Sequence, residues 1–225
     1  VHKAIESLKA LPEVEYAEPN YVVYALSTSE FTDSATCVAE PLYSQQYGLS
    51  AINVPYLWNK PRIKEKRPVI AILDTGVDTE HPDLQANIWT NEVETNGLED
   101  EDDDNNGFVD DLQGWDFVNQ TSKMHDFNGH GTHCAGIAAA VGNNGIGITG
   151  ANPDALIMPI SVIQSDGTGD VATIIKGIDY AIANGADVLN MSFGSYQYSV
   201  AEEQALVKAY AKMVLVAAAG NDFLS

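Results

Sequence analysis

Val69-Ile70-Ala71-Ile72-Leu73 is an unbroken apolar run that empties directly into Asp74-Thr75-Gly76-Val77-Asp78. A run this short, followed at once by a polar turn, reads as a strand buried on both faces. Residues 155–160, Val188 to Met191, and 214–219 are further runs of the same type, the last of them fully apolar. Between them, Val171, Ile174, Ile175, Ile178 and Ile182 recur at helical spacing with Gly185 as a stop, and 200–212 form a second amphipathic helix. Short strands separated by helices of this length imply βαβ units. The expected fold is therefore α/β, a mainly parallel, doubly wound sheet with helices on both faces. In such sheets reactive groups collect at the carboxyl ends of strands, where Asp74, Ser192 and Asn221 all fall.

His130-Gly131-Thr132-His133-Cys134-Ala135-Gly136 reads as a histidine opening a helix of small residues. An acid at a strand end and a histidine at a helix start are two of the three groups that activate a serine hydroxyl. Asp74 is the candidate orienting acid, although Asp-Thr-Gly by itself also fits an ordinary strand-ending turn. His130 is the candidate general base, and Gly129 and Gly131 leave room beside it for a substrate backbone. Cys134 lies one turn along, on the same helix face, and its simplest reading is a buried, unreactive thiol. An apolar strand running into Asp-Thr-Gly also describes aspartic proteases. Those need two such motifs sharing one proton on an all-β framework, and here there is one, among alternating helices.

Together with Val214-Leu215-Val216-Ala217-Ala218-Ala219-Gly220-Asn221-Asp222, these motifs resemble the subtilase family, the subtilisin-like serine proteases. The resemblance implies a secreted or cell-envelope serine endopeptidase acting on polypeptides. Asn221 would be its oxyanion donor, and Ser192-Phe193-Gly194 the segment that pairs with substrate as an added strand. Leu42-Tyr43-Ser44-Gln45-Gln46-Tyr47-Gly48-Leu49 is similar to the family's N-terminal entry. Val14 to Tyr24 resembles the end of the family's propeptide. Residues 1–26 are thus expected to be a propeptide remnant, 27–40 a linker carrying the processing site, and 41–225 the N-terminal part of the catalytic domain. The family's nucleophile sits in a Gly-Thr-Ser-Met-Ala-like helix start well after the oxyanion asparagine, and no such motif occurs in these 225 residues. The domain is accordingly expected to be incomplete at its C-terminus, inactive by itself, and partnered by a C-terminal segment that carries the serine. The non-enzymatic alternative is a calcium-stabilised binding module on the same framework.

A formal charge of −21, with 11 basic residues against 32 acidic ones, argues against nucleic acid as a partner. No apolar run approaches the roughly 18–20 residues of a membrane span. Cys37 and Cys134 set up no disulfide framework, and Val1 is not an initiator, so the original N-terminus is expected to have been removed. Ten of the 32 acids fall between Glu92 and Asp111, too local a cluster to serve general solubility. Within it, Asp102, Asp104 and Asn106 occupy positions one, three and five of an EF-hand-like loop, with the Phe108 carbonyl at seven. Position twelve is Gln113, so Asp110 or Asp111 would have to close the shell, and the flanks read as loop. Phe108, Val109, Leu112 and Trp115 are apolar anchors that a disordered acidic run would lack. Oxygen ligands in this number favour calcium over magnesium. The resemblance implies a second calcium site at Asp83 and the loop Gly142 to Gly147. That loop is one residue longer than in subtilisin, which leaves Asn143 or Asn144 as the ligand.

Overall fold

The computed structural model describes residues 39–58 and 66–221. The expected propeptide remnant, nearly all of the linker and Cys37 lie outside these residues. Five strands form one sheet: β1 (Val69–Asp74), β2 (Trp115–Asp116), β3 (Leu156–Ser161), β4 (Val188–Met191) and β5 (Val214–Ala217). Their spatial order is β2-β3-β1-β4-β5, and every pairing is parallel. β1 sits at the centre, so its backbone is paired along both edges and its side chains face protein on both sides.

The helices are α1 (Tyr47–Ala51), α2 (Val54–Trp58), α3 (Glu92–Thr95), α4 (His130–Ala139), α5 (Val171–Ala183) and α6 (Val200–Tyr210). Alternation along β1 divides the core in two. Val69, Ala71 and Leu73 join Ile174 and Ile178 of α5 and Ala205 and Ala209 of α6. Ile72 joins Ala135 and Ala139 of α4 on the opposite face. Helices thus cover both faces, as the βαβ pattern implied. Burying a side chain such as Ile72 or Leu73 contributes about 1.5–3 kcal/mol each, against which chain entropy must be set. α5 starts on Asp170, whose carboxylate accepts from the Thr173 amide at 3.0 Å, and α6 on Ser199, which accepts from the Glu202 amide at 3.2 Å. Gly185 ends the α5 turn with φ of +70°, a conformation that favours glycine. The N-terminal helices are tied to the loop after α4: Gln46 Nε2 donates to the Thr149 carbonyl and Trp58 Nε1 to the Ala151 carbonyl.

Three local features differ from the sequence reading. β5 stops at Ala217 and is largely exposed, with Val214 61% and Val216 47% accessible. It is the outermost strand of the sheet among the described residues, and apolar composition does not tell an edge strand from a covered one. Trp115 begins a two-residue strand on β3, which no period could have announced. The acidic stretch opens as the helical turn α3, capped by Asn91, whose side chain accepts from the Val93 amide.

Candidate active site

Asp74 is the last residue of β1 and is 1% exposed. Its Oδ1 accepts from the Thr75 amide at 2.8 Å and bonds to His130 Nδ1 at 2.6 Å. Its Oδ2 is buried without a partner among the described residues. His130 is the first residue of α4, and its side chain is 48% exposed. With Nδ1 held by the carboxylate, Nε2 is the nitrogen left to exchange a proton with a substrate or nucleophile. The closeness of strand and helix depends on glycine: a Cβ on Gly131 would lie 2.0 Å from the Gly76 carbonyl oxygen and 3.0 Å from Asp74 Cβ. Gly129, with φ of +93°, turns the chain into the helix without a side-chain cap of its own.

Around this pair the other expected residues fall at the carboxyl end of the sheet. Ser192, Phe193 and Gly194 follow β4, with the Ser192 hydroxyl accepting from Asn190 Nδ2 at 2.9 Å. Phe193 packs on the α5/α6 side of the core. It borders a cavity of about 720 Å³ whose apolar lining includes Ile163, Ile174, Met191 and Leu206. Asn221 lies beyond the end of β5, exposed, after Gly220 at φ of +85°. Cys134 Sγ is 3.9 Å from His130 Nδ1 and 4.0 Å from Nε2. Burial, reinforced by the charges of Asp74 and Asp126, pushes its thiol up despite the contact with Ser192. A thiol kept protonated is a poor nucleophile.

In the acidic loop, the carboxylates of Asp102 and Asp104 come together with that of Glu94, their ligand-type oxygens within 4.8 Å of one another. Glu94, on α3, was not singled out in the sequence. It lies well before the EF-hand-like run, and only the fold brings it in. Its two oxygens accept from the Asp104 amide at 3.1 Å and the Asp110 amide at 3.0 Å. Asn106 bridges Asp104 and Asp111 through its side-chain amide. Asp110 spends Oδ2 on the Asp100 amide. The oxygens of Asp111 are occupied by Asn91, Asn106 and the Tyr180 hydroxyl, and this residue is fully buried. Burial pushes the Asp111 carboxyl up to about 6 even against three donors, with Asp104 adding repulsion. Burial and the Asp111 charge push the Tyr180 phenol up as well, so it stays a donor. Phe108 carries the loop into the core, its ring 4.9 Å from Trp115 and 5.3 Å from both Phe117 and Tyr180.

The second expected metal site also has a geometry. Asp83, 2% exposed, accepts from Asn144 Nδ2 at 2.7 Å and from the Ile148 amide at 2.9 Å. Asn144, and not Asn143, faces it. Glu40, 4% exposed, accepts from the Asn144 amide through Oε1, while its Oε2 is buried with no partner among the described residues. Glu40 was assigned to the linker on sequence, yet it belongs to this cluster. An acid directly before Pro41-Leu42 was the available signal. Burying a carboxylate oxygen with no donor is costly, so the chemistry of this set suits a cation held by oxygen.

A parallel sheet with an Asp–His pair at its carboxyl end is the framework of a subtilisin-like α/β protein. The sequence profile of the subtilase family matches residues 65–224, and the chain belongs to that family. It is 38% identical over 179 residues to thermitase of Thermoactinomyces vulgaris, covering 79% of this chain and 55% of that protein. It is 35% identical over 225 residues to the thermophilic serine proteinase of Bacillus sp. (strain AK1), covering 99% of this chain and 48% of that protein. With the minor extracellular protease Epr of Bacillus subtilis (strain 168) it shares 32% identity over 221 residues, covering 98% of this chain and 30% of that one. The chain therefore spans at most about half of these relatives' length. Among the described residues, no helix is long and apolar enough to cross a membrane.

The buried network predicts a specific cost. Tyr180→Phe removes one donor from the buried Asp111 and should lower stability by about 1.5–3 kcal/mol, whereas Val207→Ala on the exposed face of α6 should stay within about 0.5 kcal/mol. Urea unfolding of both variants against the parent protein measures the difference.

Proposed function

We propose that this chain supplies the acid, base and oxyanion groups of a secreted serine endopeptidase. The serine nucleophile would come from sequence outside these 225 residues, without which the chain does not turn over substrate. The observation that carries the reading is the 2.6 Å bond between Asp74 and His130 at the carboxyl end of the sheet. Asp74 accepts the Nδ1 proton, fixes the tautomer and stabilises the imidazolium when it forms. His130 Nε2 takes the serine proton as Oγ bonds to the scissile carbonyl carbon. It then passes that proton to the leaving amine as the C–N bond breaks. Water repeats the sequence on the acyl intermediate and releases the acid. The Asn221 side-chain amide donates to the oxygen that gains charge in each tetrahedral intermediate. Ser192-Phe193-Gly194 pairs with the substrate backbone, which gives affinity with little side-chain selectivity. An extracellular location is supported by the similarity to the minor extracellular protease of Bacillus subtilis.

The test uses the complete protein and a peptide substrate. Asp74→Asn should lower kcat on the order of 10⁴-fold with the fold intact. A fluorophosphonate probe should label one serine outside residues 1–225. Undiminished turnover in Asp74→Asn, or no labelling of an intact protein, would refute the reading and leave the binding module as the alternative.

Calcium is the proposed cofactor. Glu94, Asp102 and Asp104, with Asn106 and the Phe108 carbonyl, would hold one ion, and Glu40, Asp83 and Asn144 another. Each ion would neutralise carboxylates that the fold crowds together. An ion that binds only the folded state stabilises by mass action. The melting midpoint should therefore be higher in calcium than in chelator, and the difference should shrink in Glu94→Gln and in Asp83→Asn. Equal midpoints for the parent protein under both conditions would overturn the assignment.

Residues 1–26 are proposed to be the end of an inhibitory propeptide, with Tyr21 to Leu26 pairing as a strand against Ser192-Phe193-Gly194. The support is compositional: β-formers bounded by Pro19 and by Ser27-Thr28-Ser29. Mass spectrometry of the active protein should find cleavage after Tyr24 and by residue 30. Full activity with residues 1–26 still attached would refute it.

A further inference from the structure

The cavity beside Phe193, the Asp74–His130–Cys134 cluster and the carboxylates around Asp102 all belong to sites already described. A different group, Asp126, is not used by any of them, yet it touches both sides of the Asp–His pair. We propose that Asp126 is a positioning residue for Asp74 and His130, an inference that rests on the proteolytic reading above.

The half-buried Asp126 carboxylate accepts five hydrogen bonds. Its Oδ1 takes the Thr75 hydroxyl at 2.8 Å, the Asn128 amide at 3.1 Å and the Gly129 amide at 2.8 Å. Its Oδ2 takes the Thr132 amide at 2.9 Å and the Thr132 hydroxyl at 2.6 Å. The two threonines extend the reach. Thr75 Oγ1, while donating to Asp126, accepts from the Gly131 amide at 3.0 Å, and Thr132 Oγ1 accepts from the Asp78 amide at 2.9 Å. One carboxylate therefore links the residue after Asp74 with the two residues before His130 and the two after it. None of these bonds involves the His130 ring or the Asp74 carboxylate.

The physical need is specific. A helix begins with amide groups that have no intrahelical partner, and Gly129 at the α4 cap position offers no side chain to meet them. Asp126 meets them from outside the helix, and its negative charge sits at the positive end of the α4 dipole. Burial by itself would raise the Asp126 carboxyl, but donation from Thr132, Gly129 and Thr75 outweighs it and holds the group below its ordinary value. The carboxylate thus stays charged, and so stays an acceptor for all five donors. Gly131 leaves little slack on the β1 side, since there is not room for even a Cβ between it and the Gly76 carbonyl. If the Asp126 tie is lost, the first turn of α4 can move only away from the strand. The histidine ring then moves with it, off a carboxylate it must meet at hydrogen-bond distance.

The experiment uses the complete protein and the variants Asp126→Ala, Asp126→Asn, Thr75→Val and Thr75→Ser. Three quantities are read: kcat and KM on a peptide substrate, the unfolding midpoint, and the downfield proton resonance of His130 Nδ1, which reports its bond to Asp74. Asp126→Ala and Thr75→Val should lower kcat by up to the order of 10²-fold with KM within about twofold, because substrate still binds while the reacting groups are displaced. Both should shift or broaden the His130 resonance at temperatures where the protein is folded. Asp126→Asn should be intermediate, and Thr75→Ser, which keeps the hydroxyl, should restore both readouts. A folded Asp126→Ala or Asp126→Asn protein with the parent resonance and the parent kcat would overturn the proposal. A fall in kcat matched only by a fall in the folded fraction would also overturn it. Should the parent protein fail to hydrolyse peptides, the resonance alone decides: its loss in Asp126→Ala upholds the positioning role while the proteolytic reading falls.

Discussion

A carboxylate cannot be placed inside a protein without a partner, and the placement of Asp74 makes its bond to His130 the constraint around which the molecule is arranged. The central strand delivers the acid to a buried strand end, and the helix on the opposite side of the turn must deliver a histidine to it. Much of the local sequence serves that meeting. Gly131 lets the helix lie against the Gly76 carbonyl. Gly129 turns the chain, and the small residues Ala135 and Ala139 let α4 sit close over Ile72. Bulkier side chains at these points would force the helix and the strand apart.

The same rule governs the rest of the acidic charge. Glu40, Asp83, Glu94 and Asp111 are all buried, in a chain with few lysines and arginines to pair with them. Asp111 has no cation beside it among the described residues: burial pushes its carboxyl up, three neutral donors offset part of that cost, and the one on Tyr180 anchors the loop to α5. Glu40 keeps an oxygen with no donor among the described residues, and Glu94 shares its space with Asp102 and Asp104.

Much of the architecture is legible in the sequence. The runs at 69–73 and 188–191 became strands, and the spacing of Val171, Ile174 and Ile178 became α5, because periodicity reports directly which faces are buried. The placement of Asp74 and His130 was legible for a related reason: strand ends and helix starts are local features. Glu94 and Glu40 were not legible. Their roles depend on partners far along the chain, and a lone acid on a short helix or before a proline has many ordinary explanations. The donors that meet Asp111 were not legible for the same reason, since the Tyr180 hydroxyl lies on another element.

By itself, then, the sequence determined the fold class, the order of strands and helices, and the placement of Asp74 at a strand end and His130 at a helix start. Those properties follow from short-range pattern: which side chains are apolar, how often they recur, and where glycine permits a turn. Only the tertiary structure decided which oxygens face one another and which strand is left at the edge. It also decided that Asp126, an unremarkable acid in a loop, holds five donors on both sides of the pair. Hydrogen bonds of this kind depend on ångström distances between distant segments, and no local period encodes them.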